Sequence, residues 1–263
     1  MLRAIADRIN LFNVNLFGVV WAVAGIALFL AIWTAASLRM GNPVLLPDPA
    51  AVVAGFFSLL GDGTLLTDVQ ASMRRVLGGF AIAACAAVPL ALLMAFSRRF
   101  GLLLTPVITF LRPIPPIAWI PIAILWFGIG DPPSYFITAI AAFFPIFINS
   151  YAGGHSVRPE HVHAARSLGA GPQALFMRIY LPSAMPMIAT GLRIGLGQSW
   201  MAVVTAELIA AHSGLGYMIQ ANRLALETGL VLVGMCVIGI LGAFMSVLLE
   251  VLERRVLVPW KTA

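Results

Sequence analysis

Charge is what this sequence has least of. Of its 263 residues only 10% are Asp, Glu, Lys or Arg, against about 25% in a soluble domain. No water-facing surface around a core of this size can be built from so few, which excludes a soluble globular enzyme. Cysteine is nearly absent: Cys85 and Cys236 lie far apart in apolar runs and read as small core residues, not as a disulfide or a metal pair. No glycine–lysine loop that could cradle phosphate is present, so the chain is not expected to bind ATP itself. No basic stretch is interleaved with aromatics, which removes nucleic acid as a partner. Ser199, Ser246 and His212 sit in no nucleophile motif. His161 and His163 are two apart, so on a helix they do not share a face, and together with His155 they read as a solvated loop and not as a metal site. With no internal repeat and no low-complexity linker, residues 1–263 read as a single transmembrane domain.

Apolar residues are abundant instead, at 61%, with a mean hydropathy of +0.99. They gather into six stretches, 16–37, 77–96, 102–127, 135–151, 184–211 and 230–252. A spanning helix needs about 20 apolar residues, so the fold class is all-α integral membrane with six transmembrane helices. The first stretch is too long for a signal-peptide core and reads as an uncleaved anchor.

Orientation follows from the basic residues. With the N-terminus inside, the inner loops hold Arg3, Arg8, Arg98, Arg99, Arg158, Arg166, Arg178, Arg254, Arg255 and Lys261, and the outer side holds Arg39, Arg74, Arg75 and Arg223. That bias predicts that both termini are cytoplasmic. Arg74 and Arg75 then fall at the outer interface, where their stems would snorkel to water. Residues 41–63 form the sizeable outer loop, and 50–60, behind Pro47-Asp48-Pro49, predict a short amphipathic helix on the membrane surface.

The inner loop 155–182 is the most informative stretch. Pro159 suits the first turn of a helix, where its missing N–H has no partner to lose. Gly169 suits a left-handed cap behind Leu168. Pro172 opens a second helix running towards Tyr180, and Pro182 predicts a bend into the fifth span. The product is a pair of short helices at a sharp angle, with small Ala164 and Ala165 allowing close approach of a partner.

The spacing Ala164-Ala165, three residues, Gly169, nine residues, Ile179, one residue, Leu181-Pro182 resembles the "EAA" loop of binding-protein-dependent ABC importer permeases. His163 stands where that family usually has Glu, and Glu160 lies one helical turn earlier. Further stretches are similar to the nitrate, taurine and alkanesulfonate branch: Ala71 to Phe80, Arg112 to Pro121, Leu125-Trp126-Phe127-Gly128, Gly191-Leu192-Arg193, Ala206-Glu207 and Gly214-Leu215-Gly216. Together they cover about residues 46–252. The resemblance implies a type I importer permease: a channel-forming, non-catalytic subunit of a bacterial inner membrane, paired with a second copy of itself. It implies two ATPase subunits, which bind the ATP and Mg, docked on Glu160, His163, Ala164, Ala165, Arg166, Gly169, Ile179, Leu181 and Pro182. It also implies an outer-face binding protein that delivers a small anionic solute of the sulfonate or nitrate kind. The rival is an ion-gradient-driven secondary transporter working without an ATPase. Such folds usually carry an inverted repeat, and none is visible here.

Three charges fall in or near spans: Arg112, Arg193 and Glu207. A charge at the bilayer centre costs roughly 2.5–3.5 kcal/mol on insertion scales, so each must face a partner, a cavity or the interface. Two readings stand: they line the translocation path together with Pro115 and Pro116, or they are interfacial and structurally paired. Pro113, Pro115, Pro116 and Pro121 break the third span, as a gate or as a static kink. Gly191, Gly195 and Gly197 give the fifth span a small-residue face for close contact within the chain or across a dimer. Trp119, Trp126 and Trp200 read as packing or interface anchors.

Overall fold

The structure, a computed structural model, describes residues 16–253. Arg3, Arg8, Arg254, Arg255 and Lys261 lie outside the described residues. Ten helices follow one another: α1 (Leu16–Met40), α2 (Pro49–Gly61), α3 (Thr64–Phe96), α4 (Arg98–Leu111), α5 (Ile120–Phe127), α6 (Asp131–His155), α7 (Pro159–Ser167), α8 (Pro172–Ala210), α9 (Leu215–Leu224) and α10 (Thr228–Leu252). A 3₁₀ turn, Pro116–Trp119, leads into α5. Five of these helices are long and apolar enough to cross a membrane, and α4 with the 3₁₀–α5 segment makes a sixth span bent by 89°.

The core is built from α3, α6 and α8. From Pro133 to Tyr151 no residue of α6 is exposed, so this helix is wrapped on all sides. Glycines allow the wrapping. A Cβ on Gly79 of α3 would meet Thr138 Cβ at 2.6 Å, and one on Gly195 of α8 would meet Ile146 Cγ1 at 2.7 Å. Gly191 likewise faces the Ile146 backbone, whereas Gly197 opens on empty space. The small-residue face is therefore used by Gly191 and Gly195 inside the chain, against α6, as close packing in membranes favours. α1 is the opposite case, with no part of its best apolar window buried. It is tied to the following loop by Trp33 Nε1 donating to the Pro47 carbonyl (3.0 Å) and Ser37 Oγ to the Leu46 carbonyl (2.9 Å).

The outer-loop helix expected at 50–60 is α2. Val52 is its buried anchor, and Gly55 lets it lie against Leu230 and Val233 of α10. Trp200 is buried with its Nε1 on Met245 Sδ, while Trp126 is exposed. Cys85 and Cys236, expected in the core, are exposed on apolar helix faces.

The prolines behave differently from place to place. Pro89, Pro106, Pro145 and Pro186 sit inside continuous helices. Pro182, expected to bend the chain, does not: 172–210 runs as one helix, with a π turn at Phe176–Tyr180 directly before it. The wider turn relieves the clash that a proline ring makes with the carbonyl four residues back. At Pro115-Pro116 the helix does break. A residue before proline is pushed out of the helical region, and Pro115 is itself extended at φ −65°, ψ 142°.

Candidate functional site

Two constructions stand at opposite ends of the core. The first is the hairpin at 155–182. Its α7 arm buries one side chain, Val162, and leaves Glu160, His161, His163, Ala164 and Arg166 exposed. The arm ends as the sequence predicts. Gly169 takes φ +81°, its N–H donates to the Arg166 carbonyl (2.9 Å), and Ala170 N–H donates to the Ala165 carbonyl (3.0 Å). This pair of bonds is a Schellman cap, which favours glycine at the left-handed position. Beside the cap lies a cleft of about 430 Å³ lined by Ala165, Leu168, Gly169, Ala174, Arg178 and Ile179 among others, and Leu168 on its rim is 88% exposed.

The second arm is the beginning of α8. Leu175 is buried, and Phe96 at the end of α3 meets the rings of Phe176 and Tyr180 edge-on, with centroids 5.5 and 5.1 Å apart. Leu181 packs against Leu92, Ala184 and Ile188. Because α8 is unbroken from Pro172 to Ala210, the second arm and the helix that packs in the core are one rod about 57 Å long at 1.5 Å per residue.

The second construction closes the far end. Arg75 of α3 is 2% exposed and uses all five of its donors. Nη1 donates to Glu207 Oε1 (2.7 Å) and to the Ser213 carbonyl (2.6 Å), Nη2 to Ser213 Oγ (2.8 Å) and Asp131 Oδ1 (2.5 Å), and Nε to Asp131 Oδ1 (3.0 Å). Glu207, 1% exposed, also accepts from Ser72 Oγ (2.8 and 2.9 Å) and from the Gly216 N–H (2.9 Å). Asp68 accepts from Gly214 N–H (2.7 Å) and Ser72 Oγ from Leu215 N–H (2.8 Å). Side chains from α3 and α8 thus satisfy the free N–H groups at the start of α9, which helix ends always leave open. One arginine ties α3 to α8, to the first residue of α6 and to the loop before α9. Gly214 is required here: a Cβ would reach Glu207 Cδ at 2.5 Å and Arg75 Nη1 at 2.7 Å.

This network corrects one expectation and decides between two readings of another. Arg75 does not snorkel at the interface beside Arg74; it is buried and paired, and α3 therefore begins at Thr64, well before the expected start at 77. Glu207, left between the path and a structural pair, lies inside the protein and is the arginine's partner. The other path candidates are not brought together with it. Arg193, about 21 Å away along α8, pairs with Glu253 beyond α10, and Arg112 is the exposed C-cap of α4. Pro116, by contrast, lines a cleft of about 270 Å³ against α6 and α8, and Pro115 is the exposed residue just before it. Sequence reading missed Arg75 as the partner of Glu207, and Asp131 as the arginine's second partner. The signal available was charge balance: a glutamate and an arginine that the span register puts at the same membrane face.

A helical core with a broken span and an exposed, Schellman-capped hairpin feeding one long helix defines a membrane transport subunit. Residues 87–258 match the family described as the binding-protein-dependent transport system inner membrane component, and the chain belongs to that family of ABC importer permeases. It is 42% identical over 224 residues to a probable ABC transporter permease protein of Brucella abortus (strain 2308), covering 85% of this chain and 89% of that one. It is 37% identical over 245 residues to the taurine transport system permease protein TauC of Escherichia coli K12, covering 91% and 89%. Among solved structures, a chain of the MetNI methionine ABC transporter, in inward-facing conformations, superposes with a TM-score of 0.64 at 16% identity, covering 71% of this chain and 93% of that one. At that identity the likeness speaks for the fold alone.

Proposed function

We propose that this chain works as one of two identical permease subunits around a central path, each gripping one ATPase subunit through the 155–182 hairpin on the cytoplasmic side. The chain itself is non-catalytic; ATP and Mg are bound and ATP hydrolysed by the partner. Both termini face the cytoplasm, and a solute-binding protein on the outer face delivers a small anionic solute of the sulfonate or nitrate kind. The observation that carries this reading is mechanical. The exposed α7 arm and its glycine cap are joined through the short turn Leu168–Gly171 to the unbroken helix that packs along the length of α6. A push on Ala164, Ala165 and Leu168 therefore reaches the centre of the molecule. Membership in the family supports the ATPase and the binding protein as partners, and the TauC relative supports a sulfonate cargo.

The test is hydrolysis and uptake by this chain reconstituted in liposomes with its ATPase and binding protein. Wild type is expected to hydrolyse ATP faster when the binding protein is loaded. Gly169→Pro is expected to uncouple the two, because proline cannot adopt φ +81° and lacks the N–H donated to Arg166. Uptake that follows an ion gradient with no ATPase bound would overturn the reading in favour of a secondary transporter.

A further inference from the structure

Along the second half of α8, from Gly191 to Ala210, the exposed residues form one stripe, Arg193, Ile194, Gly197, Gln198, Met201 and, two turns on, Ile209, with Thr205 half-buried between them. Gln198 stands 12 residues from the Ala210 end, about 18 Å along the helix. In a hydrocarbon layer about 30 Å thick that is close to the middle. Its carboxamide is exposed and makes no hydrogen bond among the described residues. Thr205, nearby, already donates to the Met201 carbonyl (2.8 Å). Gln198 is thus a free donor and acceptor at mid-membrane depth.

The exposed stripe of α10 is different in kind. Met235, Cys236, Gly239, Ile240, Ala243, Phe244, Val247 and Leu248 carry no polar side chain apart from one thiol, as suits contact with lipid. An amide facing hydrocarbon without a partner costs several kcal/mol, so the α8 stripe does not face lipid as the α10 stripe does. A second observation selects the same place. Gln198, Met201 and Thr205 form one wall of the cleft whose other wall is Pro116 and Ile117, the first residues of the 3₁₀ turn that follows directly on the non-helical 112–115 of the 89° break. Irregular backbone at membrane depth is tolerated where it is covered by protein or lines water.

We infer that this cleft opens on the translocation path and that Gln198 is its solute-discriminating contact. The carboxamide N–H₂ donates to the oxyanion head of the passing solute, and its carbonyl can accept from an ammonium group on the same molecule. A neutral donor suits a path better than the charges do. Arg193 and Glu207 are already paired with Glu253 and Arg75, and a conducting site must hold its solute weakly enough to release it. The inference rests on the permease reading above.

The experiment starts from a chain whose Cys85 and Cys236 are replaced by alanine. Single cysteines are placed at Gln198 and, as the lipid-facing control, at Ile240. Both are exposed during ATP turnover to a membrane-impermeant methanethiosulfonate bearing a sulfonate head. Gln198→Cys is expected to react at least about tenfold faster than Ile240→Cys. Equal, slow labelling, or cross-linking of Gln198→Cys to a second copy without labelling, overturns the inference. In parallel, uptake of radiolabelled taurine and of nitrate is measured for Gln198→Leu and Gln198→Glu. Loss of one hydrogen bond to a charged group predicts a rise in apparent KM of about ten- to a hundredfold, with ATPase assembly and binding-protein-stimulated hydrolysis unchanged. Uptake parameters identical to wild type for both variants overturn it. Failure of the permease reading looks different, because wild type itself would then show no ATP-coupled uptake.

Discussion

The end of the core at α9 is held by ions, with Arg75 bound to Glu207, Asp131 and Ser213, and Ser72 donating to Glu207. The hairpin end is held by rings and aliphatic side chains, Phe96 against Phe176 and Tyr180 and Leu92 against Ala184 and Ile188. The difference is one of tolerance. A saturated guanidinium fixes four chain segments in one arrangement, and any displacement leaves a buried charge unpaired. Ring-edge contacts lose only part of their energy when the rings slide. In the proposed mechanism the push arrives at the hairpin, and it needs the second kind of joint there and the first kind at the far end.

The comparison is broken most severely at Arg75. Arg75→Ala leaves the buried Glu207 carboxylate without its cation, and removing one partner of such a pair costs about 3–5 kcal/mol. Thermal unfolding of the purified chain in detergent should show that loss. The double variant Arg75→Leu, Glu207→Leu should recover a large part of it, because the one carboxylate of the arginine's pairs that is left, Asp131, is exposed to solvent. A single variant that unfolds within about 1 kcal/mol of wild type would show that water reaches the network and that the lock is not one.

How much of this could be read beforehand depends on the range of the forces. Gly169 at a left-handed cap, Pro159 and Pro172 at helix starts and the α2 helix follow from rules acting over a few residues, and each stands where the sequence puts it. The broken third span was also legible, since adjacent prolines act locally. Pro182 was misread because a π turn one residue away absorbs it, and no local rule announces that turn. Arg75 was misread, and Glu207 left between two readings, for a different reason. They are 132 positions apart, and a span-by-span reading weighs each charge alone, so it sends the arginine to the interface and names no partner for the glutamate. Cys85 and Cys236 show the same limit: an apolar run does not tell which of its faces meets lipid.

At the hairpin end the largest effect should come from Phe96→Ala, which removes both ring contacts at once. Aromatic pairs contribute about 0.5–1.5 kcal/mol each beyond buried area, so about 2 kcal/mol of local stability should go. Hydrogen exchange should rise in residues 172–180 while the α9 end keeps its protection. Equal acceleration at both ends would mean that the two joints are one cooperative unit, and the contrast would fall. Gly169→Ala should cost less, about 1–2 kcal/mol for a left-handed residue with a Cβ. The strain is confined to the cap, so binding of the proposed ATPase partner should weaken while global unfolding stays nearly unchanged.

Leu168→Ser sharpens the contrast furthest, because it should barely touch stability. The side chain is 88% exposed on the rim of the hairpin cleft, and surface substitutions away from special features stay within about 0.5 kcal/mol. If the proposed ATPase docks here, Leu168 is the side chain it must cover, and its loss should reduce affinity between the purified subunits by about tenfold or more, the size expected for an apolar anchor at an interface. Titration of the ATPase against wild-type and Leu168→Ser chains measures that directly. An unchanged affinity would move the docking contact elsewhere on the hairpin, to the Glu160 and His163 face of α7. The asymmetry between the two ends would survive, with its receiving surface on a different side.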